Sequence, residues 1–163
     1  MCYKYTMSLV VNRKAKFNYE ILEKFEVGIM LEGFEVKAAR GGHMSLDGAH
    51  VTLLPKLASI KKDSPRLSLV GATITPLQPK NVPESFVATR SRQLLMKEKE
   101  LDNLEKNLKT KGLTIVPLSV YAKRGLIKIE IALVRGKKKF DKRESSKKKD
   151  AKREIDRVMK GGR

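Results

Sequence analysis

The chain has 163 residues, 40% of them hydrophobic, which is enough for one domain with a modest core and a tail. Its 36 Lys and Arg residues outnumber its 18 Asp and Glu residues and give a formal net charge of +18. This charge favours nucleic acid as the partner, because each neutralised phosphate releases counterions, and an acidic membrane surface is the second choice. No apolar run approaches the roughly 20 residues that span a bilayer, and the N-terminus lacks a signal-peptide layout, so we expect a cytoplasmic protein.

Residues that usually carry metal or catalytic chemistry are scarce. Cys2 is the single cysteine, and with only His43 and His50 beside it no usual zinc spacing exists. The sequence has no phosphate-cradling glycine loop and no nucleophile elbow. We therefore predict no metal, no cofactor and no enzymatic activity.

The first elements follow from hydrophobic periodicity. Residues 1–11 are expected to form a flexible N-terminus. Alternating apolar and polar residues at 17–31 predict one long strand with one buried face, and Glu23 breaks the alternation, which indicates a bend or bulge for which Gly28 is a candidate. A short helix between glycines is predicted at residues 33–42.

The rest of the domain combines short strands with one long helix. Strands are predicted at residues 50–54, 57–60 and 67–75, a proline-rich connector at 76–83, a helix at about 90–111 ending before Gly112, and strands at 113–121 and 126–133 joined by a basic turn at 122–125. The predicted domain at residues 12–134 is mainly β with helices, and a small antiparallel barrel would close the edges of its sheet.

Three residues of the predicted long helix do not suit a purely structural role. Leu95 lies outside the apolar stripe of the other leucines, and it is either a single exposed leucine or an apolar surface for a base. Arg90 and Arg92 crowd the N-terminus of this helix, where cations oppose the macrodipole. Phosphate contacts would explain them better than helix stability.

Further RNA-binding candidates lie on the predicted strands and at their ends. They are Glu26, Lys123 and Lys128, together with Asn12, Arg13 and Lys14 before the long strand, which are either solubilising or RNA contacts. Lys128 points outward from the last strand, and it is either a solvated charge or an RNA contact. Glu26 either balances the basic surface around it or accepts a hydrogen bond from a base amine.

The C-terminal segment, residues 135–163, contains 14 Lys and Arg against 5 Asp and Glu. This composition predicts a disordered basic tail that attracts a polyanion. Phe140 lies between cations, as base stacking on single-stranded RNA requires. Within residues 150–160, Ile155, Val158 and Met159 recur at helical spacing, and we predict that this segment becomes helical on binding.

Five blocks of the sequence, in order, resemble one family. They are NRKAKFNYEILEKFEVGIMLEGFEVKAAR at 12–40, TRSRQLLMKEKELDNL at 89–104, KGLTIVPLSVY at 111–121, VRGKKKFDKR at 134–143 and the terminal RVMK. In these blocks the chain resembles the small protein B (SmpB) family, the bacterial partners of transfer-messenger RNA.

The resemblance implies an oligonucleotide-binding-type β-barrel with flanking helices. Such a protein is no enzyme and is expected to be a monomer. It binds the transfer-RNA-like end of transfer-messenger RNA and delivers it to ribosomes stalled without a stop codon. Family residues that touch the RNA correspond here to Asn12, Glu26, Leu95 and Lys128.

The resemblance also implies a ribosomal role for the tail, which enters the empty messenger channel and becomes helical there. The corresponding ribosome-engaging residues are Gly136, Lys137, Lys138, Phe140, Asp141, Lys142, Arg143, Val158 and Met159. The chain departs from the family pattern at several positions. Val87 and Ala88 replace Asp-Pro, His43 and His50 replace a lysine and a tyrosine, and Ala122 replaces an aromatic residue.

Other classes of protein share part of this pattern. A ribosomal or ribosome-assembly protein with a basic extension has the same composition, but it would not prefer a transfer-RNA-like ligand. A histone-like DNA-binding protein is a third interpretation, and duplex DNA would then compete with RNA. An RNA-processing enzyme is the least favoured, because Glu23 and Glu26 alone do not form a plausible catalytic site.

Overall fold

The computed structural model describes residues 8–54, 67–78, 80, 82–109, 112–138, 155 and 157–159. The strands are β1 (Ser8–Val11), β2 (Tyr19–Ile29), β3 (Met44–Ser45), β4 (His50–Leu53), β5 (Leu67–Val70), β6 (Thr73–Ile74), β7 (Arg92–Leu95), β8 (Leu113–Lys123) and β9 (Leu126–Gly136). The helices are α1 (Arg13–Asn18), α2 (Gly33–Arg40) and α3 (Glu98–Leu108). Within these ranges no helix has the length and apolar character to cross a bilayer.

Six strands close into an antiparallel ring in the order β8, β4, β5, β7, β2 and β9, and the pairing of β9 with β8 completes it. One edge of β8 pairs with β9. The other edge pairs with two strands, with β4 at Ile115 and with β1 at Ser119–Tyr121. Strands β3 and β6 form a separate two-stranded sheet. The mainly β prediction is therefore confirmed.

The main core fills the inside of the ring, and a smaller core lies outside it. The isoleucines of β9 (Ile127, Ile129 and Ile131) alternate with the outward Lys128 and are buried in the main core. On the opposite face of β9, Ala132 and Val134 pack with Ala15 of α1 in the second core. Helix α1 thus covers one end of this outer face, while Lys128 and Glu130 remain partly exposed at the other end.

The prediction of one strand over residues 17–31 is wrong at its beginning. Residues 13–18 form α1, and the strand starts at Tyr19. Phe17 and Tyr19 continue the same alternation across the boundary, so periodicity could not mark where the helix ends. The irregularity in the pairing of β2 with β9 falls between Ile21 and Glu23, not at Gly28.

The prediction of one helix over residues 90–111 is also wrong at its beginning. Arg92 and Leu94 are buried while Gln93 and Leu95 are exposed, which is the period-two pattern of strand β7. The helix α3 starts only at Glu98, and acidic residues in its first turn suit the macrodipole. Its leucines at 101 and 104 are buried as predicted.

Several other boundaries differ from the predictions. Ser8–Val11 pairs with β8, so the predicted flexible N-terminus is wrong for these residues. The single strand predicted at residues 67–75 is two strands, β5 and β6, which belong to different sheets. The helix predicted at 33–42 is confirmed as Gly33–Arg40. The strand predicted at 57–60 lies outside the described residues.

The boundary of the predicted tail also moves. Arg135 and Gly136 belong to β9, and the backbone N–H of Lys137 donates to the carbonyl of Asn18. The folded domain therefore extends beyond residue 134. Ile155, Val158 and Met159 have helical backbone conformation and exposed side chains.

Candidate nucleic-acid interface

The outer face of β2, β9 and β8 brings together most of the predicted strand candidates. Lys128 of β9 lies opposite Gly28 of β2 on one side and opposite Tyr121 of β8 on the other. Glu26 is two residues before Gly28 on the same strand, so its side chain lies on the same face. The name outer face is kept below for this side of β2, β9 and β8, which carries Glu26, Gly28, Tyr121 and Lys128.

A two-residue turn places Lys123 at the end of this face. Lys123 pairs with Leu126, and the residues between them are Arg124 and Gly125, both with positive φ (51° and 81°). Such φ values are those of the type I′ turns that join tightly twisted strands. The predicted turn at residues 122–125 is thus only two residues long, because Ala122 and Lys123 belong to β8. The Arg40 guanidinium holds the turn by donating to the Gly125 carbonyl at 2.7 Å.

An apolar groove of about 420 Å³ borders the outer face at Lys128. Its exposed walls are Leu95, Met30 and Leu126, whose exposed fractions are 53%, 49% and 63%. Gly28 lies opposite Leu95 on the neighbouring strand, and a Cβ added at Gly28 would lie only 3.3 Å from the Leu95 Cβ. A larger residue at position 28 would therefore crowd Leu95 at the wall of the groove. Leu95 is exposed as predicted, although it lies on a strand and not on a helix.

Glu26 is not a free carboxylate on the outer face. Its oxygens accept hydrogen bonds from the Lys123 ammonium at 2.7 and 2.9 Å and from the Tyr121 hydroxyl at 2.6 Å. The bonds from Lys123 and then from Tyr121 hold the pKa of the Glu26 carboxyl below its ordinary value of 4.5. Burial and the bond to Glu26 raise the pKa of Tyr121, so its hydroxyl stays protonated at neutral pH.

Asn12 turns its side chain inward instead of presenting it to a ligand. The Asn12 Oδ1 accepts from the backbone N–H of Ala15 at 3.0 Å and caps α1, while Nδ2 donates to the carbonyls of Leu46 and Pro117. The side chain is buried. Its geometry identifies Asn12 as the residue that attaches α1 to the ring.

Replacing Asn12 by alanine is expected to lower the free energy of unfolding by about 2 to 3 kcal/mol, because a helix cap and the donors for two carbonyls are lost together. Urea denaturation measures this difference. Asn12→Ser, which keeps a cap acceptor but has no amide donors, should recover part of the loss. Equal stability of Asn12→Ala and the unchanged chain would contradict the structural role.

Arg13 and Lys14 are exposed at the start of α1, away from the groove at Leu95. The Lys14 ammonium forms an ion pair with Asp47 at 2.7 Å. Both residues, with Asp47, line a second groove of about 370 Å³. This second groove and the groove at Leu95 share no lining residue.

Arg90 and Arg92 are not cations at a helix N-terminus, which corrects that prediction. Arg92 is 0% exposed, and its guanidinium donates to Glu35, which is also 0% exposed. Arg92 further donates to the carbonyls of Ala72, Ala88 and Arg90. With every bond directed inward, Arg92 has no contact to offer to a phosphate.

Arg90 completes this buried cluster from the surface. Its guanidinium binds the Glu35 carboxylate and also lies 3.4 Å from Glu32. Burial alone would raise the pKa of Glu35, but the hydrogen bonds from Arg90 and from the Glu32 backbone and the charge of Arg92 lower it below 4.5. The cluster holds the connector before β7 against α2, so its arginines serve the fold.

The tail candidates fall into three groups. Gly136 ends β9, Lys137 follows it at the edge of α1, and Lys138 is the last residue of this range. Phe140, Asp141, Lys142 and Arg143 lie outside the described residues. Val158 and Met159 are the most exposed large apolar side chains among the residues that the structure describes.

Sequence reasoning missed the contribution of Tyr121, Met30 and Leu126 to this region. An exposed methionine and leucine beside a lysine carry no distinctive pattern, and Tyr121 lies 95 residues from its partner Glu26. Only the pairing of β2 with β9 and of β9 with β8 brings them together. The register of those strands was the missing information.

These features define a small, strongly basic, mainly β protein with a closed ring of strands and a polar outer face beside an apolar groove. The chain matches the family model described as SmpB protein over residues 9–161. It therefore belongs to the SmpB family.

Relatives of similar length support this membership. The chain is 41% identical to the SsrA-binding protein of Cupriavidus taiwanensis over 157 residues, which covers 96% of this chain and 99% of that protein. It is 40% identical to the SsrA-binding protein of Bordetella pertussis, covering 94% of each chain. A solved structure described as "tmRNA-SmpB: a journey to the center of the bacterial ribosome" is similar with a TM-score of 0.59 and 36% identity, covering 80% of this chain and 85% of that chain.

Proposed function

We propose that this chain binds the transfer-RNA-like domain of transfer-messenger RNA and delivers it to stalled ribosomes, where incomplete peptides are tagged in trans-translation. The match to the SmpB family along nearly the whole chain carries the proposal, because its relatives are named for SsrA binding. The similar solved structure links SmpB with tmRNA and the bacterial ribosome. The proposal includes no enzymatic step and no cofactor, and it places a monomer in the cytoplasm.

The ring of six strands supports an oligonucleotide-binding-type β-barrel as the RNA-binding domain. On it, the RNA would lie across the outer face and the groove beside it. Lys123 and Lys128 supply positive charge for phosphates, and Leu95 supplies an exposed apolar surface against which a base can pack. Glu26 completes the face, and Arg13 and Lys14 would meet RNA that extends past it.

The basic tail would engage the ribosome, with the domain holding the RNA. Exposure of Ile155, Val158 and Met159 supports this division, because a short helix with exposed apolar residues gains stability when a partner covers them. The cations from Lys137 to Arg143 would contribute attraction to ribosomal RNA.

Replacing both Val158 and Met159 by aspartate is expected to leave the affinity for transfer-messenger RNA nearly unchanged but to stop peptide tagging. The physical reason is that the apolar contacts of the tail helix would be lost, while the outer face is untouched. Filter binding and a tagging assay on stalled ribosomes measure the two effects. Normal tagging by this variant would contradict the role of the tail helix.

Recovery of bound RNA from cells tests the proposed function directly. The tagged full-length chain is purified from lysate, and the RNA that accompanies it is sequenced. One dominant small stable RNA with a transfer-RNA-like end is the expected result. Ribosomal RNA without that species would favour the ribosomal-protein alternative, and competition by duplex DNA would favour a DNA-binding protein.

A further inference from the structure

The contacts of Glu26 leave it little capacity to contact a ligand directly. Its two carboxylate oxygens already accept three hydrogen bonds, from Lys123 and Tyr121. A second carboxylate, that of Glu130, lies directly opposite on β9, and the Lys24 ammonium approaches Glu130 at 3.4 Å. A polyanion that approached these carboxylates would meet like charge unless the neighbouring cations stood between them.

We propose that Glu26 acts in RNA binding as a positioning residue: its carboxylate fixes Lys123 and Tyr121 on the outer face, and these two side chains contact the RNA. The proposal rests on the proposed function, since it assigns roles within the same surface. It assigns Tyr121 to that surface and removes the Glu26 carboxylate from direct contact with a base.

The geometry shows why Lys123 needs a positioning partner. Lys123 is exposed and is the last residue of β8 before the two-residue turn, so its long side chain has few neighbours of its own. Both Glu26 oxygens bind its ammonium, which leaves the third ammonium proton for a phosphate. Restricting the rotamers of a lysine before binding reduces the entropy that the complex would otherwise lose.

Tyr121 is fixed by the same carboxylate. Its hydroxyl is bound by Glu26, while its backbone lies opposite Lys128 in the pairing of β8 with β9. The half-buried Tyr121 therefore has Lys128 opposite it on β9 and Lys123 two residues further along β8, while its hydroxyl reaches Glu26 on β2. An aromatic ring flanked by cations is the arrangement that single-stranded nucleic acid uses for stacking and phosphate contact.

A double-mutant cycle distinguishes positioning from direct contact. Four full-length proteins are compared for binding to transcribed transfer-messenger RNA at one salt concentration: the unchanged chain, Glu26→Gln, Lys123→Met with Tyr121→Phe, and the combination of all three substitutions. Glu26→Gln is expected to weaken binding roughly two- to fivefold, the range of exposed ion pairs, although it removes a negative charge from the RNA-binding face. In the Lys123→Met and Tyr121→Phe background, the same substitution should change the dissociation constant less than twofold.

The opposite pattern would overturn the proposal. An equal loss of affinity from Glu26→Gln in both backgrounds would mean that the carboxylate itself contacts the RNA. Tighter RNA binding by Glu26→Gln than by the unchanged chain would mean that the carboxylate acts only through its negative charge. Glu20→Gln is the matched control, because it makes the same charge change on β2 opposite Arg135. It should not weaken binding, and a loss as large as that of Glu26→Gln would also contradict the proposal.

Titration of the free protein separates this proposal from the function on which it rests. Carbon-13 NMR should report a pKa for the Glu26 carboxyl below 4.5 in the unchanged chain and a higher pKa in the Lys123→Met and Tyr121→Phe variant. An unshifted pKa in the unchanged chain would refute the network itself. If the network is present but the unchanged chain does not prefer transfer-messenger RNA over a size-matched RNA, it is the proposed function that fails.

Discussion

Replacing Glu35 by alanine is expected to lower the free energy of unfolding by about 3 to 5 kcal/mol, the range for removing one partner of a buried ion pair. The large effect follows from burial, because both Glu35 and Arg92 are 0% exposed. Without the carboxylate, the Arg92 guanidinium would keep its bonds to backbone carbonyls but would remain a buried charge without a counterion. Urea denaturation at neutral pH measures the change.

Glu32→Gln is the control for this prediction, because it removes the charge that faces Arg90 but keeps an oxygen to accept the capping-box hydrogen bond at the start of α2. Glu32 is on the same turn of the chain and also approaches Arg90, but its side chain is 51% exposed. Its ion pair is screened by water, so its loss should cost less than about 1 kcal/mol. Similar losses in both variants would show that burial does not set the strength of the cluster.

The same cluster predicts how stability depends on pH. The pKa of Glu35 in the folded chain is below its ordinary 4.5. The stability that the Glu35 carboxylate contributes is therefore complete at pH values above the pKa of the unfolded chain. It is lost as the pH falls through the pKa of the folded chain. The difference in stability between the unchanged chain and Glu35→Gln should therefore be constant near neutral pH and shrink in acid. A difference that grew in acid would contradict this assignment.

Charge reversal at Lys128 is expected to weaken RNA binding by about 1 to 3 kcal/mol and to lower the slope of log affinity against log salt by about one. Lys128 is in the middle strand of the outer face, next to the groove at Leu95, so a glutamate there would face the phosphates at the centre of the proposed contact. Filter binding of transfer-messenger RNA over a range of salt concentrations measures both quantities.

Lys106→Glu is the matched control, since it makes the same charge change on an exposed position of α3. Net charge alone would predict equal effects from the two substitutions. The proposed interface predicts a much larger effect at Lys128. Equal losses in affinity and in salt slope would show that the chain attracts RNA only through its overall charge.

The strands with clean alternation were predictable from sequence, and the elements with mixed patterns were not. The inward isoleucines of β9 and the outward, partly exposed Lys128 follow from a period of two. The pattern of β7 does not distinguish a strand from a helix, because four residues with two leucines suit either period. The beginning of α1 was missed because its cap, Asn12, is stabilised by carbonyls of Leu46 and Pro117, which are distant in sequence.

Single candidates for the interface were predictable, but their surroundings were not. The resemblance to the SmpB family identified Asn12, Glu26, Leu95 and Lys128 as a set. The structure places the last three on or beside one face, whereas Asn12 is buried at the start of α1. Neither composition nor resemblance indicated that Glu26 binds Lys123 and Tyr121. That contact requires two strand pairings in the correct register.

The sequence by itself determined the family, the mainly β fold and the net charge of +18, because all three depend on residue types and their local order. Only the tertiary structure decided which charges are available to a ligand. Arg92 and Lys123 look alike in the sequence, yet closure of the ring buries Arg92 against Glu35, 57 residues away, and leaves Lys123 on the surface with Glu26, 97 residues away. Burial and pairing depend on contacts distant in the chain, and local pattern does not encode them.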